Sequence, residues 1–343
     1  MSGLVSGPEE LRLGTRGSQL ALWQAHTVAE RIGATGGPPC RIVIIKTTGD
    51  RVQEAPLSQV GGKRLFVKEI EDALLRHEID LAVHSSKDMP AVLPAGLQIA
   101  AVLPREDPLD AIVLREPAGG SEREQDGRPG VPAQTVEALI ACLGSTPAIG
   151  TSSVRRIAQL ARLVPAARFA PIRGNLDTRL RKLDAGEYDA LVLAAAGLRR
   201  LGFGARISLR LPASACLPAP GQGIVAIEIR EGDEAVRRTV VRVDDPAAGM
   251  ALAAERALVM ALGGGCQTPI GALASPVGAD SLELVAAVIA LDGSRAVRRQ
   301  AQGPAQEAEA IGARVGADLI ADGADEILAD ARRAHGMVEG IQP

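Results

Sequence analysis

RFAPIRGNLDTRLRKLDAGEYDALVLAAAGLRRLG, residues 168–202, decides the fold class. A short apolar segment enters a glycine turn, helical spacing follows, and the stretch ends in the strictly apolar run LVLAA. A strand with no polar face needs cover on both sides, which is the habit of α/β architecture. The same scheme recurs on either side. PAIGTSSVRRIAQLARLVP (147–165) reads as strand, polar turn and helix. Far upstream, LRLGTRGSQLALWQAHTVAERI (11–32) gives a strand, a turn and an amphipathic helix with Leu20, Leu22, Ala25, Val28 and Ile32 inward. RIVIIKTTGD (41–50) is a strand, LFVKEIEDALLRHEI (65–79) a helix, and DLAVHSSKDMP (80–90) a strand running into a loop stopped by Pro90. Two successive α/β units of parallel type are expected.

Two segments break the rhythm. GDRVQEAPLSQVGG (49–62) reads as a loop, and PAGGSEREQDGRPGVPAQ (117–134) as an exposed insertion. SLRLPASACLPAPGQGIVAIEIRE (208–231) is a Pro- and Gly-rich crossing ending in a strand, GIVAIEI, able to pair back into the first unit. From about 246 the pattern changes to a helix, a cysteine turn, a strand pair around LELVAAVIALDG and one final helix, hence a separate α+β unit.

Composition narrows the function classes. The 343 residues exceed a single core at about 150 residues per domain. Apolar residues at 46% and charged residues at 23% describe a soluble globular chain. Aromatics at 1% and a net charge of −3 argue against a nucleic-acid partner. They also require cores of Ala, Val, Leu and Ile. The start MSGLVSGPEE lacks a secretory pattern, and apolar runs such as LELVAAVIAL (282–291) are too short for a bilayer, so a cytoplasmic location with no membrane contact is expected. Cys40, Cys142, Cys216 and Cys266 are far apart and without histidines at zinc spacing, so neither a disulfide framework nor a metal site is expected. His26 and His77 read as helical, and with His335 as surface or packing residues.

The chemistry gathers where strands give way to helices. Thr15-Arg16-Gly17-Ser18, Gly150 to Arg156, and Arg173-Gly174-Asn175 with Arg179 each precede a helix. Helix N-termini present free N–H groups and a positive dipole end, so each turn reads either as ordinary Ser/Thr capping or as a carboxylate or phosphate clamp. Three in one topological position favour a polyanion at the carboxyl ends of the strands. Arginine supplies 33 of the 38 basic residues, lysine standing only at 46, 63, 68, 87 and 182. Lys87 and Asp88 follow another strand, where the aspartate is either a solvated charge or a carboxylate that stabilises a cation and shuttles a proton. Lys63 and Lys68 flank the GGKRLF turn and either close on an anion or stay solvated. Cys266, in ALGGGCQTPIGA (261–272), is either a partly buried structural thiol or a mobile thiol that carries a group. The other three cysteines are assigned to packing.

Taken in order, TRGSQLALWQ (15–24), GGKRLFVKEIE (61–71), HSSKDMP (84–90), IGTSSVRR (149–156), IRGNLDTRL (172–180), AAAGLRRLG (194–202), LPAPGQGIVAIE (217–228) and GGGCQTPIGA (263–272) resemble the hydroxymethylbilane synthase, or porphobilinogen deaminase, family. The resemblance implies condensation of four porphobilinogen molecules head to tail with loss of ammonia, then hydrolytic release of linear hydroxymethylbilane. It implies a dipyrromethane cofactor on a thioether at Cys266, with Lys87, Asp88, Thr151, Ser153, Arg155, Arg156 and Arg173 around it. Arg16, Ser18, Lys63, Arg179, Arg200 and Gln222 match substrate contacts, and Asp88 matches the catalytic aspartate. No metal is implied, and the expected partners are porphobilinogen and the growing polypyrrole, held by a monomer. The implied fold is two periplasmic-binding-protein-like α/β domains around a cleft plus a smaller C-terminal α+β domain. Its limits are 9–106 with a returning segment 222–242, then 107–218, then 245–343. Loop 49–62 matches a mobile cover of the family's site. Ser86 stands where the family more often has a bulky apolar residue, and the 117–134 insertion is longer than usual. A non-catalytic two-lobed anion-binding module explains the turns but not Cys266 with Asp88. A thiol-dependent transferase explains Cys266 but not the arginines.

Overall fold

The computed structural model describes residues 9–47, 67–116, 135–263 and 268–339. Its first sheet joins β1 (Leu11–Thr15), β2 (Cys40–Ile44), β3 (Leu81–Ser85), β4 (Leu97–Val102) and β10 (Val225–Arg230) in the order β2-β1-β3-β10-β4. The second joins β5 (Asp110–Leu114), β6 (Ala148–Gly150), β7 (Arg168–Ala170), β8 (Ala190–Ala194) and β9 (Leu209–Arg210) in the order β7-β6-β8-β5-β9. Neither is all-parallel. β1 runs parallel to β2 and β3, and β6 parallel to β7 and β8. β10 is antiparallel to β3 and β4, and β5 is antiparallel to β8 and β9. Connectivity is the reason. Each of these two strands enters straight from the other unit, through crossings at residues 103–109 and 211–224, and arrives at the edge where its neighbours end. The expected return of GIVAIEI is present as β10, and its direction corrects the expected parallel type.

Between the strands lie α1 (Gln19–Ala34), α2 (Lys68–Leu75), α3 (Val136–Cys142), α4 (Val154–Leu163), α5 (Leu176–Asp184), α6 (Ala195–Arg200) and α7 (Glu234–Val240). α1 buries Ala25, Val28 and Ile32 against Leu11, Leu13, Val83 and Ile227, while Leu20 and Leu22 remain half-buried. His77 lies beyond α2 at φ 57 and is exposed, which corrects its helical reading. Cys216 is buried and Cys40 half-buried against the first core, as packing residues, whereas Cys142 is exposed on α3 and departs from that expectation.

The third sheet is an antiparallel meander of β11 (Ile270–Val277), β12 (Ser281–Ile289) and β13 (Ala296–Pro304), one strand more than the expected pair. Against it pack α8 (Pro246–Ala261), α9 (Ala308–Ala321) and α10 (Ala324–Glu339). The expected single final helix breaks at Gly323, whose φ of +90° ends α9. The core is aliphatic, with Leu258, Ile270, Leu284, Val288, Ile311 and Val315 inside. Without aromatics to fill a wide gap, the helices close up: a Cβ at Gly312 would lie 2.1 Å from the Ala254 carbonyl oxygen. The crossings also touch backbone to backbone, since a Cβ at Gly223 would meet the Glu106 carbonyl oxygen at 2.3 Å. Glu255 of α8 is fully buried and ties this unit down, accepting from Arg105 at 2.6 Å, Gly221 N at 2.5 Å and Ala274 N at 2.8 Å.

Candidate active site

An antiparallel strand begins where its parallel neighbours end, so the crossings deliver side chains to the carboxyl edges of both sheets. At the first sheet, β3 runs into a 3-10 turn, Ser86–Asp88. Ser86 is buried and donates its N–H to the Ile224 carbonyl at 2.9 Å. A Cβ at Gly221 would come within 2.9 Å of Ser86 Oγ, so a small residue at 86 and glycine at 221 let crossing and turn meet. The Lys87 ammonium donates to Gln222 Oε1 at 3.3 Å, and Asp88 is half-buried beside it.

Gln222 carries the connection onward. Its amide donates to Asp110 Oδ1 at 2.9 Å and to the Pro108 carbonyl at 2.7 Å. Asp110, the first residue of β5, is fully buried and receives Arg155 on Oδ2 at 2.6 Å and Arg156 on Oδ1 at 2.8 Å. Burial alone would favour its neutral form, but the two guanidinium groups outweigh that and hold the carboxyl far below the usual carboxylate range. Arg155 also donates to the Leu217 carbonyl at 2.5 Å, and Arg156 to that of Val192 at 2.8 Å. Of the arginines expected at the helix starts, these two therefore face inward onto Asp110. Beside them the Cys216 thiol is pushed up to about 12 by burial and the Asp110 charge, and so stays protonated.

The remaining arginines are placed differently. Arg179 on α5 donates to the Gly174 carbonyl at 2.9 Å. Burial first, then the neighbouring Arg156 and Arg173 charges, lower it to about 10, while Asp88 acts in the opposite sense. Asp88 of the first unit is thus close enough for its charge to act on Arg179 of the second, as are Arg156 and Arg173. Arg173 makes no hydrogen bond or ion pair among the described residues. Arg200, closing α6, donates to the Gly223 carbonyl at 2.7 Å and is lowered to about 10 by burial, against the opposing Glu106 charge. Cations that exceed their acids in this way fit a ligand carrying several carboxylates, as a dipyrromethane does.

The hydroxyls at the helix starts do the work of caps. Ser18 Oγ accepts from Ala21 N at 3.3 Å and Ser153 Oγ from Arg156 N, while Thr151 Oγ1 accepts from Ser153 N at 3.2 Å. Arg16 is half-buried just before α1. Replacing Ser18 by alanine is expected to lower stability by about 1 kcal/mol in urea unfolding, the usual worth of a cap. A rise in KM beyond that loss would mark direct ligand contact. Cys266, Lys63 and both irregular segments, 49–62 and 117–134, lie outside the described residues. Sequence reasoning missed Asp110, Glu255 and Trp23. The first two are charged residues at 0% exposure, and the third lies 5.5 Å from the Arg200 guanidinium.

A hollow of about 560 Å³ lined by Leu75, His77, Gly96 and residues 230–235 sits at the opposite ends of β3 and β4. Its arginine, Arg230, is already held by Asp233 at 2.7 Å and by the Leu74 and Ile79 carbonyls, so it competes poorly as a ligand site. Among the described residues, no cluster of His, Cys, Asp and Glu could hold a metal ion, and no helix is long and apolar enough to cross a membrane.

Known proteins align with this layout. Residues 11–238 match the family described as "Porphobilinogen deaminase, dipyromethane cofactor binding domain", and residues 250–321 match "Porphobilinogen deaminase, C-terminal domain". The porphobilinogen deaminase of Geobacter metallireducens is 45% identical over 94% of this chain and 95% of its own length. That of Bordetella parapertussis is 45% identical over 95% and 98%. Among solved structures, the BvgS VFT2 domain of Bordetella pertussis aligns at 16% identity and a TM-score of 0.37, covering 68% of this chain and 86% of that one. With both family domains in sequence order and relatives matched nearly end to end, the chain belongs to the porphobilinogen deaminase family.

Proposed function

We propose that this chain condenses four porphobilinogen molecules head to tail on a dipyrromethane joined through a thioether to Cys266, and then releases hydroxymethylbilane by hydrolysis. The observation that carries the reading is the run of contacts from Lys87, next to Asp88, through Gln222 to Asp110 and its two arginines, which sets the Asp88 turn of one unit beside the arginines of the other. When bound, the dipyrromethane supplies the pyrrole carbon to which each new ring is added. Each porphobilinogen brings an acetate and a propionate. Arg16, Ser18, Lys63, Arg179, Arg200 and Gln222 take up the incoming ring, and Lys87, Thr151, Ser153, Arg156 and Arg173 hold the cofactor. Arg155 supports Arg156 from beneath through their common partner Asp110. As the C–N bond within the protonated aminomethyl group breaks, ammonia leaves with the bonding pair and the substrate ring becomes cationic. The Asp88 carboxylate stabilises that cation and, once the new C–C bond has formed, accepts the proton lost as the ring rearomatises. The proposal includes a cytoplasmic monomer, the domain limits given above, and loop 49–62 as a cover for the site.

The intact mass of the reduced protein tests this directly. An excess of two condensed pyrrole units is expected, absent from Cys266→Ala. Purified protein should also consume porphobilinogen with release of ammonia. A bare mass that persists after incubation with porphobilinogen, with no consumption, would sink the proposal.

A further inference from the structure

Trp23 is the one tryptophan of the chain. It stands on α1 of the first unit, 36% exposed, and Arg200 of the second unit lies over its ring at 5.5 Å from the centroid. That is within the roughly 6 Å at which a guanidinium is attracted to an indole face. The helices meet here as well, since a Cβ at Gly197 would lie 3.8 Å from Leu20 Cδ2. The third party is the Gly223 carbonyl, part of the crossing that leads into β10.

Arg200 makes no ion pair among the described residues. Glu106, the acid whose charge acts on it, is engaged by Arg199 at 3.6 Å. A guanidinium carries five N–H groups, and one of them is accounted for by Gly223. A long side chain so lightly tethered would sample many rotamers, and fixing it on binding would weaken affinity. The ring supplies the missing constraint without using any donor. We propose that Trp23 is a positioning residue: with the Gly223 carbonyl, its indole face fixes the Arg200 guanidinium where the two α/β units meet, presenting the free N–H groups to a porphobilinogen carboxylate. The inference rests on the deaminase reading for its ligand, and on the contact itself for its geometry.

A double-mutant cycle on the holoenzyme tests it. Trp23→Leu is expected to raise KM for porphobilinogen about fivefold, the scale of one cation–π contact, with a smaller change in kcat. Trp23→Phe, which keeps a π face, should recover much of the loss. In an Arg200→Leu background, Trp23→Leu should leave KM where it was. An unchanged KM in the single variant, or the same fivefold rise without Arg200, would overturn the proposal. Should leucine impair folding, Trp23→Met fills the space without a ring and enters the same cycle. A chain that consumes no porphobilinogen defeats the deaminase reading alone. The cycle read in the unfolding equilibrium constant should still show a coupling of about two- to fivefold, and additivity there would refute the contact.

Discussion

An Asp88→Asn variant is expected to retain its covalent dipyrromethane yet turn over porphobilinogen about 10²- to 10⁴-fold more slowly, the range for loss of a positioned proton-transfer group. Asparagine keeps the shape and removes both the charge and the basic oxygen. KM should behave differently from kcat. The Asp88 charge acts on Arg179 against those that lower it, so its removal takes a competing carboxylate away from a guanidinium assigned to the substrate. A fall in kcat with KM steady or lower would show that the carboxylate acts on the transition state rather than on binding. Steady-state kinetics beside the intact mass separates the outcomes. Full activity would remove Asp88 from the mechanism, and loss of the cofactor mass would assign it to cofactor assembly instead.

Why the sequence shows Asp88 but hides its setting follows from where each signal lies. Turns such as TSSVRR and IRGNLDTR are local, so their place before helices α4 and α5 was legible from spacing alone. The return of residues 225–230 to the first sheet was legible too, from the apolar run after the crossing. Strand direction was not, because it depends on which edge the crossing reaches and not on the strand's own pattern. That error concealed the network. Asp110 reads locally as a polar strand start, and its partners stand 45, 46, 106 and 112 residues away. Arg155 and Arg156, adjacent in sequence, lie in a turn that reads locally either as capping or as one anion clamp; long side chains instead bring both to one carboxylate, each on its own oxygen. Glu255 stands in the helical run AAERAL with no local signal of burial, and tertiary docking alone makes it a buried acceptor for three donors.

Asp110 gives the second expected result, and its sign follows from burial. Replacing it by alanine leaves two guanidinium groups, 4% and 8% exposed as residues, without their anion, and withdraws an acceptor from Gln222. Removing one partner of a buried pair typically costs about 3–5 kcal/mol, because the surviving charge stays desolvated. Urea unfolding at neutral pH should show that loss as a lowered midpoint with little change in slope. The shape-preserving Asp110→Asn isolates the charge through its pH dependence. Since the folded carboxyl lies far below its ordinary value, its contribution is complete above the unfolded value of about 3.9 and fades as pH falls toward the folded one. The gap between wild type and Asp110→Asn should therefore be constant from about pH 8 to 5 and narrow below about 4. A gap that does not narrow in acid would mean that Asp110 is not ion-paired in solution. Function should suffer in the folded variant as well, because Asp110 is where Lys87, through Gln222, is referred to the same point as Arg156. Side chains from both sheets are registered on that one buried carboxylate. Loosening it should spread the cations that a polycarboxylate chain needs to meet at once, so KM should rise even where Asp88 is untouched.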